Sequence, residues 1–207
     1  MEQCLAGLAA QGSAVGEIVF LDNASSDRSE HVARATATRF GLTVTWLRNE
    51  APAPISTNFN RLLAASKGRL ISHLSTDDWY EPGYAETMLQ AGRDSPEAGW
   101  FYPAGWLYFE DTHALEAVDT TGFSDGCIGE RMRSGETPFW FVGCCYRRTA
   151  LEAVAGWDES QLIEDRDLVF RLAQRFPVHR VRAPLVYYRR SSRAISADPG
   201  FMAEGLE

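Results

Sequence analysis

Several features missing from this sequence narrow the class of protein that it encodes. No apolar run approaches the ~18 residues that a membrane-spanning helix needs. The amino-terminal region contains no basic stretch followed by an apolar core, which a secretory signal would have. The four cysteines lack the spacing of metal ligands or of a disulfide framework, and the adjacent pair Cys144 and Cys145 lies in an apolar run that favours buried thiols. Together these absences predict a cytoplasmic protein with no transmembrane segment.

Excess positive charge and internal repetition are also missing. The formal net charge is -8 at pH 7, which argues against nucleic acid as the main partner and leaves small molecules or other proteins. No internal repeat or low-complexity stretch appears. A chain of 207 residues, 45% of them hydrophobic, suits one globular domain.

The first half of the chain alternates short apolar runs with helix-like segments. Strands and helices are predicted in turn, at residues 17–21, 28–40, 42–47, 56–66, 70–74 and 84–92. This alternation predicts an α/β domain whose mostly parallel sheet is flanked by helices.

After Trp100 the sequence becomes rich in aromatic residues and less regular. We therefore divide the chain into an amino-terminal half over 1–98, a second half of the same domain over 99–196, and a tail over 197–207.

Carboxylates follow two of the predicted strands. Asp22 ends the first apolar run, and Asp77 and Asp78 follow the run over 70–74. The carboxyl ends of parallel strands form the ligand crevice of such sheets, so these side chains could face one another across it. Adjacent carboxylates are costly unless they are solvated or near a cation, and a diphosphate ligand would bring a divalent cation there. The alternative is a solvated acidic turn that caps the following helix.

A third acidic pair, Glu164 and Asp165, precedes an amphipathic helix predicted over 167–175. In one interpretation Asp165 caps the amino terminus of that helix. In the other it is a general base that takes a proton from a hydroxyl group. The sequence leaves both open.

Five segments occur in an order and spacing that match a known family. They are EIVFLDNASSD, the stretch of Asn58, Asn60, Ala64, Ala65 and Gly68 leading into LSTDDWYEPG, then RRTALEAVAGWDE, IEDRDLVFRL and YYRRSS. Together they resemble the family 2 glycosyltransferases, which have the GT-A fold, and the resemblance runs from about Met1 to Ser196. It implies a Rossmann-like sheet and transfer of a sugar from a nucleotide-diphosphate sugar to a hydroxyl of a sugar or glycan acceptor. Such enzymes usually invert the anomeric carbon and use a divalent metal.

The resemblance also implies roles for individual residues. Asp165 matches the catalytic base, and Asp22 matches the acidic residue that contacts the nucleotide base. Asp77 and Asp78 match positions that hold Mn²⁺ or Mg²⁺. The full set implied to bind substrate is Asp22, Asn60, Asp77, Trp157 and Arg190.

The arginines of the RR pairs are further candidates for contacts to the diphosphate or acceptor. They are Arg147, Arg148, Arg189 and Arg190. The ordinary alternative for each is a solvated side chain.

The sequence departs from the family pattern at three points. Ser75 stands where the first aspartate of the metal-binding motif is expected, and Ser191 stands where a late histidine is expected. The strand that lies in the family between those ending at Asp22 and Asp77 has no counterpart. Because an unfilled interval would leave two strand edges unpaired, we expect a truncated chain or a re-paired sheet, and an exposed edge could support a homo-oligomer.

These departures motivate a rival from another class, a non-catalytic domain that binds a sugar nucleotide or a protein. A third possibility, a phosphatase-like hydrolase with Asp22 as nucleophile, is disfavoured. The segment FLDNASS lacks the second aspartate two residues on that would serve as the acid partner.

Overall fold

Within the residues that the structure describes, eight strands in two sheets form the framework of the fold. The computed structural model describes residues 1–161 and 163–191. The strands are β1 (Val19–Asp22), β2 (Thr45–Arg48), β3 (Leu70–Ser72), β4 (Trp79–Tyr80), β5 (Trp100–Phe109), β6 (Ala114–Ala117), β7 (Cys145–Arg147) and β8 (Val178–Arg190).

Seven α-helices within the described residues connect these strands. They are α1 (Glu2–Ala9), α2 (Ser29–Arg39), α3 (Ile55–Ala65), α4 (Tyr84–Asp94), α5 (Gly129–Arg133), α6 (Arg148–Ala153) and α7 (Glu164–Ala173), with a short 3₁₀ turn at Gly12–Ala14. Local chemistry explains several of the boundaries. The Asp27 carboxylate accepts a hydrogen bond of 2.9 Å from the Ser29 amide at the start of α2, and Gly83 enters α4 with φ of 88°, a conformation that suits glycine. None of these described helices is long and apolar enough to cross a membrane.

The predicted α/β class is confirmed, and the sheet is mixed rather than mostly parallel. β1 and β2 form a parallel two-stranded sheet, and the larger sheet has the order β3-β7-β5-β8-β4, with β6 pairing to β5. In the larger sheet only β5 and β8 run parallel, and the other four pairings are antiparallel. The parallel expectation came from the strand–helix alternation of the first half. The later strands depart from it, as β6 does by returning along β5 through a tight turn, which gives an antiparallel pair.

No strand among the described residues pairs with both β1 and β3. β1 pairs with β2 alone, and β3 pairs with β7 alone. Re-pairing of the sheet, one of the two expectations, is therefore not seen among the described residues. Ser72 at the end of β3 is correspondingly exposed, although its hydroxyl is hydrogen-bonded.

A hydrophobic layer covers each face of the six-stranded sheet. Successive residues of β5 alternate between the layers, with Trp100 and Tyr102 in one and Phe101 in the other, as the period of a strand requires. Cys144 and Cys145 are likewise divided between the two layers, and both are buried free thiols as predicted.

Each layer is covered by different helices. α3 and α7 pack on the layer that contains Trp100, while α4 packs on the layer that contains Phe101. The proposed division of the chain at 98/99 falls just before β5, the long strand that belongs to both layers, and the tail over 197–207 lies outside the described residues.

Candidate active site

The amino-terminal part of the site is built around Asp22, the last residue of β1. Its side chain is only 5% exposed. One carboxylate oxygen forms an ion pair with Arg48 at the end of the neighbouring strand β2, and the other accepts a hydrogen bond of 3.3 Å from the Ser25 amide. Arg48 also contacts Glu30 at 2.7 Å. The strand end thus holds a charged network in which the Asp22 carboxylate already has partners.

An open depression of about 550 Å³ lies beside this network. Its lining is polar and carries both signs of charge: Ser25, Ser26, Asp27, Glu30, His31, Arg34 and Arg48. It lies at the carboxyl ends of β1 and β2, where α/β sheets bind ligands.

Asp77 and Asp78 are adjacent in sequence but differ in environment. Asp77 is exposed, and its carboxylate forms no hydrogen bond or ion pair with the described part of the chain. Asp78 is 6% exposed, and its Oδ1 accepts a hydrogen bond of 2.9 Å from the Arg189 amide of β8. Burial raises the pKa of Asp78 to about 7, against the opposing effect of that hydrogen bond. Asp77 is therefore the carboxylate that is available to a cation, while Asp78 joins its loop to β8.

The two arginines at the end of β8 are also placed differently. The Arg189 guanidinium lies 5.2 Å from the ring centres of both Trp79 and Tyr108, and its Nε donates to the Asp77 carbonyl oxygen at 3.0 Å. It therefore stabilises the loop that carries Asp77. Arg190, the residue predicted to bind substrate, is exposed and lies 5.6 Å over the Tyr188 ring.

Asn60 and Trp157 were both predicted to bind substrate, and the structure brings them into contact. The Asn60 amide accepts a hydrogen bond of 2.9 Å from the Trp157 amide and donates one of 2.8 Å to the Trp157 carbonyl oxygen. Trp157 is 3% exposed and packs against Phe59, with ring centres 5.2 Å apart. Asn60 therefore fixes the turn before α7, and Trp157 makes a core contact. The face of the indole is not open to a sugar.

Asp165 lies in the first turn of α7, which begins three residues earlier than the sequence predicted. Its side chain is 28% exposed, and its Oδ1 lies 3.6 Å from Nε2 of His73. Burial raises the pKa of Asp165 to about 6. The contact with His73 brings Asp165 to the segment that follows β3 and leads to Asp77. A carboxylate with these properties can accept a proton near neutral pH.

Arg147 and Arg148 were candidates for diphosphate contacts, but both have protein partners. Arg147 donates to the carbonyl oxygens of Gly92, Ser95 and Ala98 at 2.6, 2.9 and 2.7 Å, at the carboxyl end of α4. Arg148 donates to the carbonyl oxygen of Gly68 at 2.8 Å and to the Ser66 hydroxyl at 2.7 Å, at the carboxyl end of α3. Both guanidinium groups therefore cap helix ends, where backbone carbonyls lack partners and cations are favoured.

The donor set for a divalent cation is small. No group of three or more His, Cys, Asp or Glu side chains in the described ranges is arranged to hold a metal ion. Mg²⁺ and Mn²⁺ bind through one or two carboxylates together with substrate phosphates, so the unpartnered carboxylate of Asp77 fits this mode. Asp78 fits less well because its Oδ1 is already hydrogen-bonded.

His73 and Arg48 are two residues of the site that the sequence did not single out. His73 lies in an otherwise apolar strand segment, and a histidine there was the available signal. Arg48 is the last residue of β2, and its partner in the parallel register is Asp22, the last residue of β1. The sequence does not show this pairing, which brings the two side chains together.

Comparison with known proteins agrees with this description. A family model described as "Glycosyl transferase family 2" matches residues 1–154. An uncharacterized protein of Mycobacterium tuberculosis is 34% identical over 99 residues, which cover 48% of this chain and 30% of that protein.

Two solved structures share the fold at low sequence identity. S. aureus TarS 1-349 in complex with UDP-GlcNAc has a TM-score of 0.74 at 12% identity, covering 94% of this chain and 56% of that one. The mannosyltransferase PcManGT from Pyrobaculum calidifontis in complex with GDP-Man and Mn²⁺ has a TM-score of 0.68 at 15% identity, covering 99% and 57%. This chain therefore spans a little over half the length of these structural relatives and less than a third of the Mycobacterium relative.

Proposed function

This chain belongs to glycosyl transferase family 2, and we propose that it transfers a sugar from a nucleotide-diphosphate sugar to an acceptor hydroxyl with inversion. The observation that carries the proposal is Asp165, a carboxylate with a raised pKa that lies beside the segment leading to Asp77. The similar structures contain UDP-GlcNAc or GDP-Man, which makes these two donors the first to test.

In the proposed mechanism each group has a separate task. Asp165 takes the proton of the acceptor hydroxyl as that oxygen attacks the anomeric carbon, and the bond to the nucleoside diphosphate breaks on the opposite face. The polar depression beside Asp22 accepts the nucleoside part of the donor. Asp77, together with the donor phosphates, would hold Mn²⁺ or Mg²⁺, which would supply positive charge that stabilises the departing diphosphate.

Donor binding is tested by calorimetric titration of the protein with UDP and with GDP, with and without Mn²⁺. We expect metal-dependent binding in the micromolar range, about -8 kcal/mol. Asp77→Asn should remove the metal dependence, while Asp94→Asn, which changes an exposed carboxylate at the end of α4, should not. Equal affinity with and without metal in the unmodified protein would contradict the role of Asp77.

Catalysis is tested by the release of UDP or GDP from the two donors in the presence of a panel of sugar acceptors. Asp165→Asn should lower turnover by about 10²–10⁴-fold and leave nucleotide affinity nearly unchanged. Because the base must be ionised, the rate of the unmodified protein should fall as the pH drops below about 6. A parallel loss of nucleotide affinity would reassign Asp165 to a structural role.

The second candidate function is a domain that binds a nucleotide sugar without transferring it. This alternative is favoured by the serine at position 75 and by the edges of β1 and β3 that no strand of the described residues pairs with. This alternative predicts that the protein binds the nucleotide but releases none from either donor in any acceptor mixture. It also predicts that Asp165→Asn changes neither result. The cytoplasmic location and the homo-oligomer stay predictions, and size-exclusion chromatography with light scattering tests the latter.

A further inference from the structure

His73 lies inside a group of aromatic side chains next to the proposed base. Its imidazole ring centre is 4.6 Å from that of Phe59, 5.9 Å from that of Tyr146 and 6.0 Å from that of Trp157. We call these three rings the aromatic enclosure. The Tyr146 ring is nearly parallel to the imidazole, whereas the Trp157 ring meets it edge-on. The enclosure fixes the imidazole plane and leaves His73 14% exposed.

Unpartnered polar atoms are concentrated at this place. Six buried side-chain polar atoms in the described ranges have no hydrogen-bond partner, and four of them belong to this cluster: His73 Nδ1, Tyr146 Oη, Trp157 Nε1 and Asp165 Oδ1. A buried polar group without a partner destabilises the folded state, so such a concentration requires an explanation. Functional sites retain such costs because the groups act on a ligand or on one another.

The two oxygens of the Asp165 carboxylate lie in different environments. Oδ1 is buried and faces the imidazole, yet the side chain as a whole is 28% exposed. The other oxygen, Oδ2, is consequently the one that an acceptor hydroxyl can approach. The Trp157 indole N–H lies close enough to Asp165 to lower its pKa, although it falls short of a well-formed hydrogen bond.

The charge state of His73 follows from its surroundings. Burial lowers the pKa of His73 to about 4, against an opposing effect of Glu164, so the ring is neutral at pH 7. Cys144 and Tyr146 also face Asp165, and burial raises both of their pKa values, so they are neutral as well. A neutral imidazole carries one N–H, and only the Nε2–H tautomer can donate to Asp165.

We propose that His73 is a positioning residue for the general base: its Nε2–H holds Oδ1 of Asp165 and leaves Oδ2 directed at the acceptor. This inference rests on the proposed function of Asp165. The separation of 3.6 Å is longer than a hydrogen bond, and a shift of about 0.5 Å would form one. Catalytic hydrogen bonds are often long without substrate and shorten in the substrate complex.

The first test needs no substrate. The whole chain is labelled with ¹⁵N-histidine, and long-range ¹H–¹⁵N spectra are recorded as a function of pH, with His73→Phe used to assign one of the four histidines. We expect His73 to stay in the Nε2–H tautomer at neutral pH and to titrate only near pH 4. We also expect Asp165→Ala to shift its Nε2 resonance. A His73 that titrates near pH 6.5, or that carries its proton on Nδ1, would overturn the proposal.

The second test separates positioning from packing. His73→Phe keeps an aromatic ring but removes the N–H, whereas His73→Gln supplies an N–H donor. We expect His73→Phe to lower kcat by about 10- to 100-fold, to leave the KM for the donor unchanged, and to move the acid limb of the pH–rate profile to higher pH. The limb moves because a carboxylate that loses a donor has a higher pKa. His73→Gln should restore part of kcat.

Failure of this inference can be distinguished from failure of the proposed function. If Asp165→Asn retains turnover, the assignment of the base is wrong. If Asp165→Asn abolishes turnover while His73→Phe leaves the acid limb in place and differs only in thermal stability, Asp165 keeps its role and His73 is merely a core residue. Should His73→Phe fail to fold, His73→Gln assigns the His73 resonances instead, and the spectra of the unmodified protein decide the question.

Discussion

The two sheets of this protein hold their strands in different ways. In the six-stranded sheet, β5 and β8 pair over ten residues and separate two hydrophobic layers that contain nearly all of the large buried side chains. In the two-stranded sheet each strand has four residues, and Asp22 is the only one of the eight that is buried. Neither layer includes a residue of β1 or β2. The proposed base therefore lies at the densely packed six-stranded sheet. The depression proposed to bind the nucleoside lies at the lightly packed two-stranded sheet.

The largest expected effect tests the packed part. Trp100 is fully buried, and its ring lies 5.1 Å from that of Phe139. Trp100→Ala removes this ring and leaves a cavity, so we expect the free energy of unfolding to fall by about 3–5 kcal/mol in urea titrations. Trp100→Phe keeps much of the volume and also removes an unpartnered indole N–H, so it should be milder. A loss below about 1 kcal/mol for Trp100→Ala would contradict the tighter packing of the six-stranded sheet.

The second effect concerns the attachment of a helix to the packed sheet. Arg147→Met keeps the aliphatic length but removes the guanidinium donor from three carbonyl oxygens at and just beyond the end of α4. We expect a loss of about 1–3 kcal/mol in the free energy of unfolding, by the same urea titration. Arg182→Met, at an exposed position of β8, is the control and should change stability by less than about 0.5 kcal/mol.

A smaller effect is expected in the two-stranded sheet. Phe20 of β1 is half-buried, and its ring lies 5.0 Å from that of Trp46 on β2. Because less apolar area leaves water here, Phe20→Ala should cost about 1–2 kcal/mol. Thr45→Ala on the exposed side of β2 serves as control. If Phe20→Ala were as damaging as Trp100→Ala, the two sheets would form one equally packed unit.

The difference in packing between the two sheets can also be measured without a substitution. Amide hydrogen exchange should be fastest for β1 and β2 among the strands that pair over four or more residues, because few buried contacts resist their local opening. The amides of β5 and β8 should exchange only through global unfolding. Addition of UDP or GDP with Mn²⁺ should slow exchange near Asp22 if the depression binds the nucleoside. Uniform protection across both sheets would contradict the distinction.

The sequence predicted the first half of the chain better than the second half. Strand–helix alternation located β1, α2, β2, α3 and β3, because each element has its own periodicity and end signals. It does not reveal that β8 continues through Pro184. A proline removes a ladder hydrogen bond, and the β5–β8 register shifts near this point, which lets the strand continue.

The site shows a similar division. Asp22, Asp77 and Asp165 could be singled out because their chemistry follows from position relative to strands and helices. The contacts that occupy Asn60, Trp157 and Asp78 could not be predicted, because they join residues 97 and 111 positions apart in the chain. Whether a polar side chain is available to a ligand depends on such contacts, which local patterns do not contain.

The placement of Arg147 and Arg148 has a consequence for cooperativity. The two neighbours send their guanidinium groups to helices on opposite sides of the sheet, one to the end of α4 and the other to the end of α3. Detachment of either helix must disturb the same short strand, β7, and through it the other helix. The segments before and after the Asp77 loop should therefore open and close as one unit, although the helices do not lie on the same face.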